Sequence, residues 1–157
     1  VAVCTRVLRA DGAIETVEGA DQGFGYRHSA FEQMDAVILE TTFALKPADP
    51  AEILEKMQQL RKKRAASQPL EYPSAGSTFK RPGTGFAAAL IDQAGLKGLS
   101  VGGAQVSEKH AGFVINRGGA TAADVLALME QIETRVRAAS GVQLEPEVRI
   151  LQVQKEA

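Results

Sequence analysis

A serine beside two cations is the first candidate for chemistry in this sequence. The stretch PSAGSTFKRP places Ser77 in a small, flexible turn just before Lys80 and Arg81. The hydroxyl has three interpretations: a nucleophile, a proton donor, or only the corner of a tight turn. A nucleophile needs a base, but His28 and His110 lie outside any hydrolase motif, and GSTFK lacks the G-x-S-x-G elbow. These features disfavour acyl transfer.

Proton donation to carbon is the remaining chemical use of this serine. A serine hydroxyl is a poor acid, so it gives up a proton only to a strongly basic partner. Enolate-like carbon formed during a reduction is such a partner. It needs electrophilic support from an arginine or a protonated carboxyl group.

Composition disfavours several other classes of function. The 157 residues carry 18 basic and 19 acidic side chains, so the net charge of −1 gives no overall reason to bind nucleic acid or anionic membrane. One cysteine and two separated histidines supply neither a disulfide framework nor a usual metal-ligand spacing. GTGFAA lacks the third glycine of a dinucleotide fingerprint. Since no long apolar run or signal peptide is present, we expect a soluble, cytoplasmic protein.

The elements that must position these residues begin with a predicted hairpin around Asp11 and Gly12. A hairpin is not stable alone, so we expect this chain to be the carboxy-terminal part of a longer protein. The apolar run AVILETTFALK, residues 36–46, predicts a mostly buried strand.

A long helix is predicted next. Asp49 is a typical N-cap, Pro50 suits the first helical position, and an apolar face follows. The residues of that face are Ile53, Met57 and Leu60. We interpret the RKKR cluster near the helix end as solvated, because no aromatic residues interleave with it.

The second half of the sequence predicts a mixture of helices and strands. A short helix should end at Gly95, a buried strand should cover residues 111–116, and Thr121 should cap a long helix. The apolar stripe of that helix consists of Val125, Leu128, Met129, Ile132 and Val136. A last strand is predicted over residues 147–153. Without strict βαβ alternation, this order favours an α+β fold.

Four segments, in this order along the chain, resemble the UDP-N-acetylenolpyruvoylglucosamine reductase family. They are FGYRHSAFE, PSAGSTFKRP, GLKGLSVGGAQVSEKHAGFVIN and LEPEVRIL. The resemblance implies a cytoplasmic bacterial flavoenzyme of peptidoglycan precursor synthesis. It also implies that NADPH reduces FAD, which then reduces UDP-N-acetylenolpyruvoylglucosamine to UDP-N-acetylmuramate.

The resemblance implies catalytic roles for three residues. The arginine of the Y-R-x-S motif is Arg27, the serine of G-S-x-F is Ser77, and the glutamate of E-V-R is Glu147. In the implied mechanism Arg27 and Glu147 stabilise enolate character on the substrate. Ser77 then protonates the carbon, in agreement with the chemistry expected of a weak acid.

The resemblance also implies residues that contact the substrate and the cofactor. The substrate-binding positions are Tyr26, Lys80, Arg81, Gln105, Glu108 and Lys109. Arg149 is the candidate cofactor contact, although it could instead orient Glu147. Tyr26 and Phe79 also fit ordinary core packing, and the two loop cations also fit solvated charge. We expect His110 to be structural.

The resemblance divides the chain into four parts. Residues 1–46 correspond to the end of the second FAD-binding domain, 47–72 to a connecting helix, 73–143 to a small mixed α/β substrate-binding domain, and 144–157 to a tail returning to the FAD domain. The family's amino-terminal FAD-binding region has no counterpart here, so that region is the expected partner. Two functions stay open: part of a reductase, or a non-catalytic sugar-nucleotide-binding fragment without its own FAD site.

Overall fold

The computed structural model describes residues 1–151. The chain divides into two compact units, Val1–Leu54 and Glu55–Ala157, each containing an antiparallel sheet. This combination of helices and antiparallel sheets confirms the α+β class. The four-part domain division stays a prediction. Within residues 1–151, no helix is long and apolar enough to cross a membrane.

The first unit is a three-stranded sheet in the order β2-β1-β3. Its elements are β1 (Ala2–Arg9), β2 (Ile14–Glu18), β3 (Ala36–Phe43) and the 3-10 helices Gly19–Gln22 and Ala30–Gln33. Asp11 stabilises the turn between β1 and β2, since its carboxylate accepts a hydrogen bond from the Ala13 N–H at 2.9 Å. The predicted hairpin is therefore confirmed.

The prediction that the third strand is mostly buried is wrong. β3 lies at a sheet edge, and Val37 and Ile38 are 62% and 53% exposed. Burial in this unit centres instead on β1, where the Thr5 hydroxyl donates to Oε1 of the buried Gln22 at 2.9 Å. An apolar sequence allows a strand to be buried. The strand becomes buried only if a helix or a second sheet covers its face.

Helix α1 spans Pro50–Ser67. Asp49 caps it as predicted, because its carboxylate accepts the Ala51 N–H at 2.7 Å. The predicted apolar face, however, has no cover among the described residues: Ile53, Met57 and Leu60 are all about half exposed or more.

The second unit contains a four-stranded sheet in the order β4-β7-β6-β5. Its remaining elements are β4 (Ser74–Ser77), α2 (Ala87–Gln93), β5 (Ser100–Val101), β6 (Ala104–Val106), β7 (Phe113–Asn116) and α3 (Ala122–Ser140). The predicted cap of α3 is confirmed: Thr121 Oγ1 accepts the Asp124 N–H, and the Asp124 carboxylate accepts the Thr121 N–H. Hydrogen bonds to the Asp124 carboxylate from the backbone and the side chain of Thr121 lower the pKa of Asp124.

The core of this unit lies between α3, α2 and the sheet. The predicted stripe of α3 is buried at Leu128, Met129, Ile132 and Val136, and partly buried at Val125. It packs in one cluster with Ile91 of α2, Val106 of β6 and Leu144, which follows α3. The periodic apolar pattern therefore identified the helix face correctly.

A very close backbone approach fixes the turn between β5 and β6. A Cβ atom placed on Gly103 would clash with the carbonyl oxygen of Gly118 and the backbone nitrogen of Ala120, and would lie 2.7 Å from the Ala120 Cα. Only glycine lets this turn lie against the chain that enters α3.

The strand predicted over residues 147–153 does not form in its described part. Residues 147–151 have no strand structure, and Pro146 makes a single isolated bridge with Phe79. Proline lacks the N–H that a longer ladder needs, which limits pairing at this point. Residues 152–153 lie outside the described residues.

Candidate active site

Ser77 lies at the end of β4, opposite Phe113 of β7. The register shifts between Ser74 and Ser77, and Gly76 between them has φ of +86°. Such an irregularity turns the side chains that follow it. Ser77 is exposed, whereas the next two residues are buried. The hydroxyl is thus accessible on a backbone that is anchored immediately after it.

Thr78 provides this anchor. Its N–H donates to the Gly112 carbonyl at 2.9 Å, and its hydroxyl accepts the Val114 N–H at 3.1 Å. Its carbonyl accepts the N–H of Glu147 at 2.9 Å. Thr78 therefore joins Ser77 to both β7 and Glu147. It was missing from the residues predicted by sequence, which carries no signal for its contacts beyond the position after Ser77.

The segment that carries Glu147 runs antiparallel to the residues after Ser77. The Lys80 N–H donates to the Glu145 carbonyl at 2.8 Å, one step beyond the bridge between Phe79 and Pro146. Leu144 lies in the core with 2% of its surface exposed, and Glu147 is half-buried. The structure thus brings together two of the three predicted catalytic positions.

The two cations after Ser77 have different surroundings. Lys80 forms an exposed ion pair with Glu145, with 3.2 Å between Nζ and Oε2. Arg81 donates from Nε to the Gly85 carbonyl at 3.2 Å, and its guanidinium lies 4.2 Å from the centre of the Phe86 ring. Both cations line an open cavity of about 190 Å³.

The predicted substrate residues in and after β6 make contacts within the second unit. Gln105 donates to the Gly98 carbonyl at 3.2 Å and to the Ser100 hydroxyl at 3.1 Å. The exposed Glu108 carboxylate lies over Gly98, where any Cβ would clash with it. Lys109 donates to the Ala65 carbonyl of α1 at 2.8 Å.

Arg27 and Tyr26 belong to the first unit. Arg27 has φ of +53°, and it is the one non-glycine residue with positive φ in residues 1–151. It lies in a turn closed by backbone hydrogen bonds between Gly25 and His28. Left-handed backbone at a bulky residue is unfavourable and is concentrated at functional sites. Tyr26 is 83% exposed, so the core-packing alternative for it is wrong in the described structure.

The aromatic and histidine alternatives in the second unit have clearer outcomes. Phe79 is buried in the core cluster, as the packing interpretation predicted. The His110 ring packs edge-on against Phe113, and its Nδ1 accepts the Gly112 N–H at 3.1 Å. A structural role for His110 accounts for both contacts. Arg149 is exposed two residues after Glu147.

An apolar cavity of the second unit lacks, among its described residues, the donors that a complete FAD molecule needs. It has a volume of about 550 Å³ and is lined mainly by apolar side chains, including Val125, Leu126, Met129, Val148 and Ile150. No lysine or arginine among the described residues lines it, whereas a diphosphate requires cationic or N–H donors. A flavin site therefore needs residues beyond these.

A family model matches the part of the chain that contains the candidate site. The model for the C-terminal domain of UDP-N-acetylenolpyruvoylglucosamine reductase matches residues 68–151, which include Ser77, Thr78 and Glu147. The chain belongs to this reductase C-terminal domain family. The resemblance expected from the sequence is thus confirmed.

Known members of this reductase family extend the match to the first unit. The UDP-N-acetylenolpyruvoylglucosamine reductase of Streptococcus pneumoniae strain CGSP14 is 51% identical over 146 residues, covering 93% of this chain and 48% of that protein. The reductase of Agathobacter rectalis is 50% identical over 151 residues, covering 96% and 48%. The chain spans about half the length of the curated relatives it matches.

A solved reductase structure shares the fold. The crystal structure of UDP-N-acetylenolpyruvylglucosamine reductase from Thermus caldophilus matches with a TM-score of 0.77 and 34% identity. The match covers 94% of this chain and 52% of that one. It supports the arrangement of helices and sheets within each unit.

Proposed function

We propose that this chain is the substrate-binding, carboxy-terminal part of a flavoenzyme that reduces UDP-N-acetylenolpyruvoylglucosamine to UDP-N-acetylmuramate. One observation carries the proposal: in a chain of the reductase family, Thr78 joins the exposed Ser77 to Glu147 through a 2.9 Å backbone hydrogen bond. The enzyme works in the cytoplasm, in the synthesis of peptidoglycan precursors. FAD and NADPH are its proposed cofactors.

The proposed role of Ser77 is to protonate the substrate. Hydride addition to the terminal methylene of the enolpyruvyl group leaves enolate character on the neighbouring carbon and its carboxylate. Bound reduced FAD would supply that hydride, and we propose that the amino-terminal half of the enzyme holds most of the flavin. Ser77 suits the second step because a weak acid protonates a carbon as basic as this one. Its exposed position allows the substrate to reach the hydroxyl.

Arg27 and Glu147 are proposed to stabilise the developing negative charge. An arginine binds a carboxylate through two parallel hydrogen bonds, and a carboxyl group that keeps its proton can donate one more. The left-handed backbone at Arg27 is unfavourable for arginine, which is consistent with a functional orientation of its side chain. Glu147 is half-buried and follows a segment that is fixed at Thr78 and Lys80.

Further residues are proposed to contact the substrate and the cofactor. They are Tyr26, Lys80, Arg81, Gln105 and Glu108, with Arg149 as a contact to the cofactor. Lys109, which the sequence also predicted as a substrate contact, is bonded instead to the Ala65 carbonyl. Lys80 and Arg81 are the described cations nearest in sequence to Ser77, so they suit the anionic groups of a sugar nucleotide. Binding would require Lys80 to exchange its exposed ion pair with Glu145, which costs little at a solvated position.

The first test separates this proposal from a non-catalytic sugar-nucleotide-binding fragment. We expect the 157-residue chain alone to purify colourless and without NADPH oxidation, because its described cavity does not fit FAD. Supplying the amino-terminal half of the enzyme should restore both flavin binding and substrate-dependent NADPH oxidation. Absorbance at 450 nm and NADPH consumption measure the two properties.

Two results would contradict these expectations. A yellow preparation of the chain with stoichiometric FAD and no second polypeptide would show that the flavin site is misplaced. If the combined protein bound FAD and UDP-sugar but never oxidised NADPH with substrate, the non-catalytic alternative would be favoured.

Replacing Glu147 by glutamine in the complete enzyme tests the carboxyl group. The amide keeps the shape of the side chain, so we expect substrate affinity to change by less than about threefold. Flavin reoxidation by substrate should slow by about 100-fold, the low end for a group acting on charge or protons in the transition state. Stopped-flow kinetics with separate reductive and oxidative half-reactions measure this.

Arg27→Ala should show the same separation, with normal flavin reduction by NADPH and slow reoxidation. Glu145→Gln is the matched control for Glu147, because its carboxylate lies in the same segment and is bound to Lys80. Normal turnover in Glu147→Gln would show that the role assigned to Glu147 is wrong.

A further inference from the structure

The carboxyl end of helix α1 contains a carbonyl group without its usual helical partner. In an α-helix the carbonyl of one residue accepts the N–H of the residue four positions later. The residue four positions after Ala65 is Pro69, which has no N–H. The preceding carbonyl, that of Arg64, is satisfied by the Gln68 N–H at 2.9 Å. The Ala65 carbonyl must therefore accept from a donor outside the helix, either a side chain or water.

Lys109 supplies this donor. Its Nζ lies 2.8 Å from the Ala65 carbonyl oxygen and 3.6 Å from Glu71 Oε2. A positive charge at this position also interacts favourably with the helix dipole. The Lys109 side chain is 34% exposed, so about two thirds of its surface is covered.

The loop that carries Lys109 is itself held firmly. The buried Ser107 accepts hydrogen bonds at its hydroxyl from the N–H groups of Lys109 and His110, at 3.2 and 3.3 Å. Ser107 also donates its own N–H to the Phe113 carbonyl at 2.9 Å. Lys109 thus extends from a rigid loop to α1, 44 residues away in sequence.

The segment between α1 and β4, residues 68–73, leads directly to the strand that ends at Ser77. Its far end is attached to β7, where the Asn116 N–H donates to the Pro73 carbonyl at 2.9 Å. Arg117 also donates to the Tyr72 hydroxyl at 2.9 Å. Lys109 is the corresponding attachment at the near end, through Ala65 and Glu71.

We propose that Lys109 is a positioning residue for Ser77, which acts by fixing the end of α1 and not by contacting the substrate. The proposal rests on the proton-donor role proposed for Ser77. Without the lysine, the Ala65 carbonyl loses its donor and the segment before β4 gains freedom at one end. The Ser77 hydroxyl is then held less well against the carbon that it protonates, and small misplacements of reacting groups slow reactions strongly.

Hydrogen exchange in the complete enzyme tests the attachment. In Lys109→Met, the amides of Gln68, Leu70 and Tyr72 should exchange about tenfold faster, as expected for the loss of a hydrogen bond to a charged group. The amides of α3 should be unchanged. Lys109→Arg should recover most of the protection, because a guanidinium can also donate to the carbonyl and the carboxylate.

Lys62→Met is the matched control. It also removes one lysine charge, here from α1 itself. Lys62 has no side-chain hydrogen bond or ion pair within residues 1–151, so the exchange of Gln68, Leu70 and Tyr72 should be unchanged. Unchanged exchange of Gln68, Leu70 and Tyr72 in Lys109→Met would overturn the proposal. Faster exchange over the whole second unit would overturn it as well, because it would indicate a general loss of stability.

A double-mutant cycle tests whether Lys109 acts through Ser77. Lys109→Met should slow flavin reoxidation by substrate about tenfold while flavin reduction and substrate affinity stay near normal. In the Ser77→Ala background the same change should have no further effect, because the positioned hydroxyl is already gone. An equal additional loss there would show that Lys109 acts independently of Ser77, and a large loss of affinity would show that it contacts the substrate. Either result would overturn the proposal.

The two experiments separate failure of this inference from failure of the proposed function. Normal reoxidation in Ser77→Ala alone would overturn the proton-donor role and with it the link to Lys109. If hydrogen exchange were unchanged in Lys109→Met while flavin reoxidation was slow in Ser77→Ala, the proposed function would stand. Only the positioning role of Lys109 would be overturned.

Discussion

Replacing Ser77 by alanine in the complete enzyme is expected to slow flavin reoxidation by the enolpyruvyl substrate about 10²–10⁴-fold, the usual contribution of a positioned proton donor. Flavin reduction by NADPH should remain within about twofold of normal, because that half-reaction needs no proton from the serine. The substitution removes one exposed oxygen, so stability should change by less than about 0.5 kcal/mol. Stopped-flow absorbance resolves the two half-reactions.

Ser67→Ala provides the control for this prediction. Its hydroxyl also lies on an exposed residue, but it donates only to carbonyls of its own helix, at Lys63 and Arg64. Both half-reactions should stay normal in this variant. Equal slowing of the two half-reactions in Ser77→Ala would contradict proton donation and would indicate a general disturbance of the site instead. Deuterium incorporation at the protonated carbon offers a second measurement.

Replacing Gly103 by alanine is expected to destabilise the second unit by about 2–3 kcal/mol, the upper range for overpacking a rigid interior. The added methyl would clash with backbone atoms of Gly118 and Ala120, which have no side-chain freedom to move aside. The turn between β5 and β6 and the chain entering α3 must then separate. Equilibrium urea unfolding of the 157-residue chain, followed by helix circular dichroism, measures the loss.

Gly83→Ala is the matched control for backbone effects. A Cβ atom at Gly83 would meet nothing within 4 Å, and its φ is not in the left-handed region. Its stability should therefore change by less than about 1 kcal/mol, with a gain expected because alanine restricts the unfolded chain. A loss in Gly103→Ala no larger than in this control would show that the close approach does not exist in solution.

Local patterns explain which elements could be predicted from the sequence. The caps at Asp49 and Thr121 depend on residues within one turn, and the α3 stripe depends on helical periodicity. Burial of β3 failed as a prediction because it depends on a covering layer that the strand does not encode. The strand predicted over residues 147–153 is absent from its described part because the preceding Pro146 lacks the N–H that a longer ladder needs, and the apolar pattern did not reveal this.

Some features of the candidate site could likewise be predicted from the sequence, and others could not. Ser77 and Glu147 stand in recognisable motifs, so their types and positions were available from the sequence. The left-handed backbone of Arg27 and the bond from Lys109 to Ala65 were not, because each depends on the folded chain around it. Neither arginine nor lysine has an intrinsic preference that would have indicated these features.

The antiparallel contact between Lys80 and Glu145 joins residues 65 positions apart in sequence. The backbone bridge beside it, from Phe79 to Pro146 and from Thr78 to Glu147, closes a loop that contains all of α2, α3 and three strands. Closing a loop of this length costs entropy that only a folded interior recovers, so the contact should form late in folding. A nascent chain that ends before Glu147 would therefore contain Ser77 and most of the core. It would lack the carboxyl group that completes the site with Ser77.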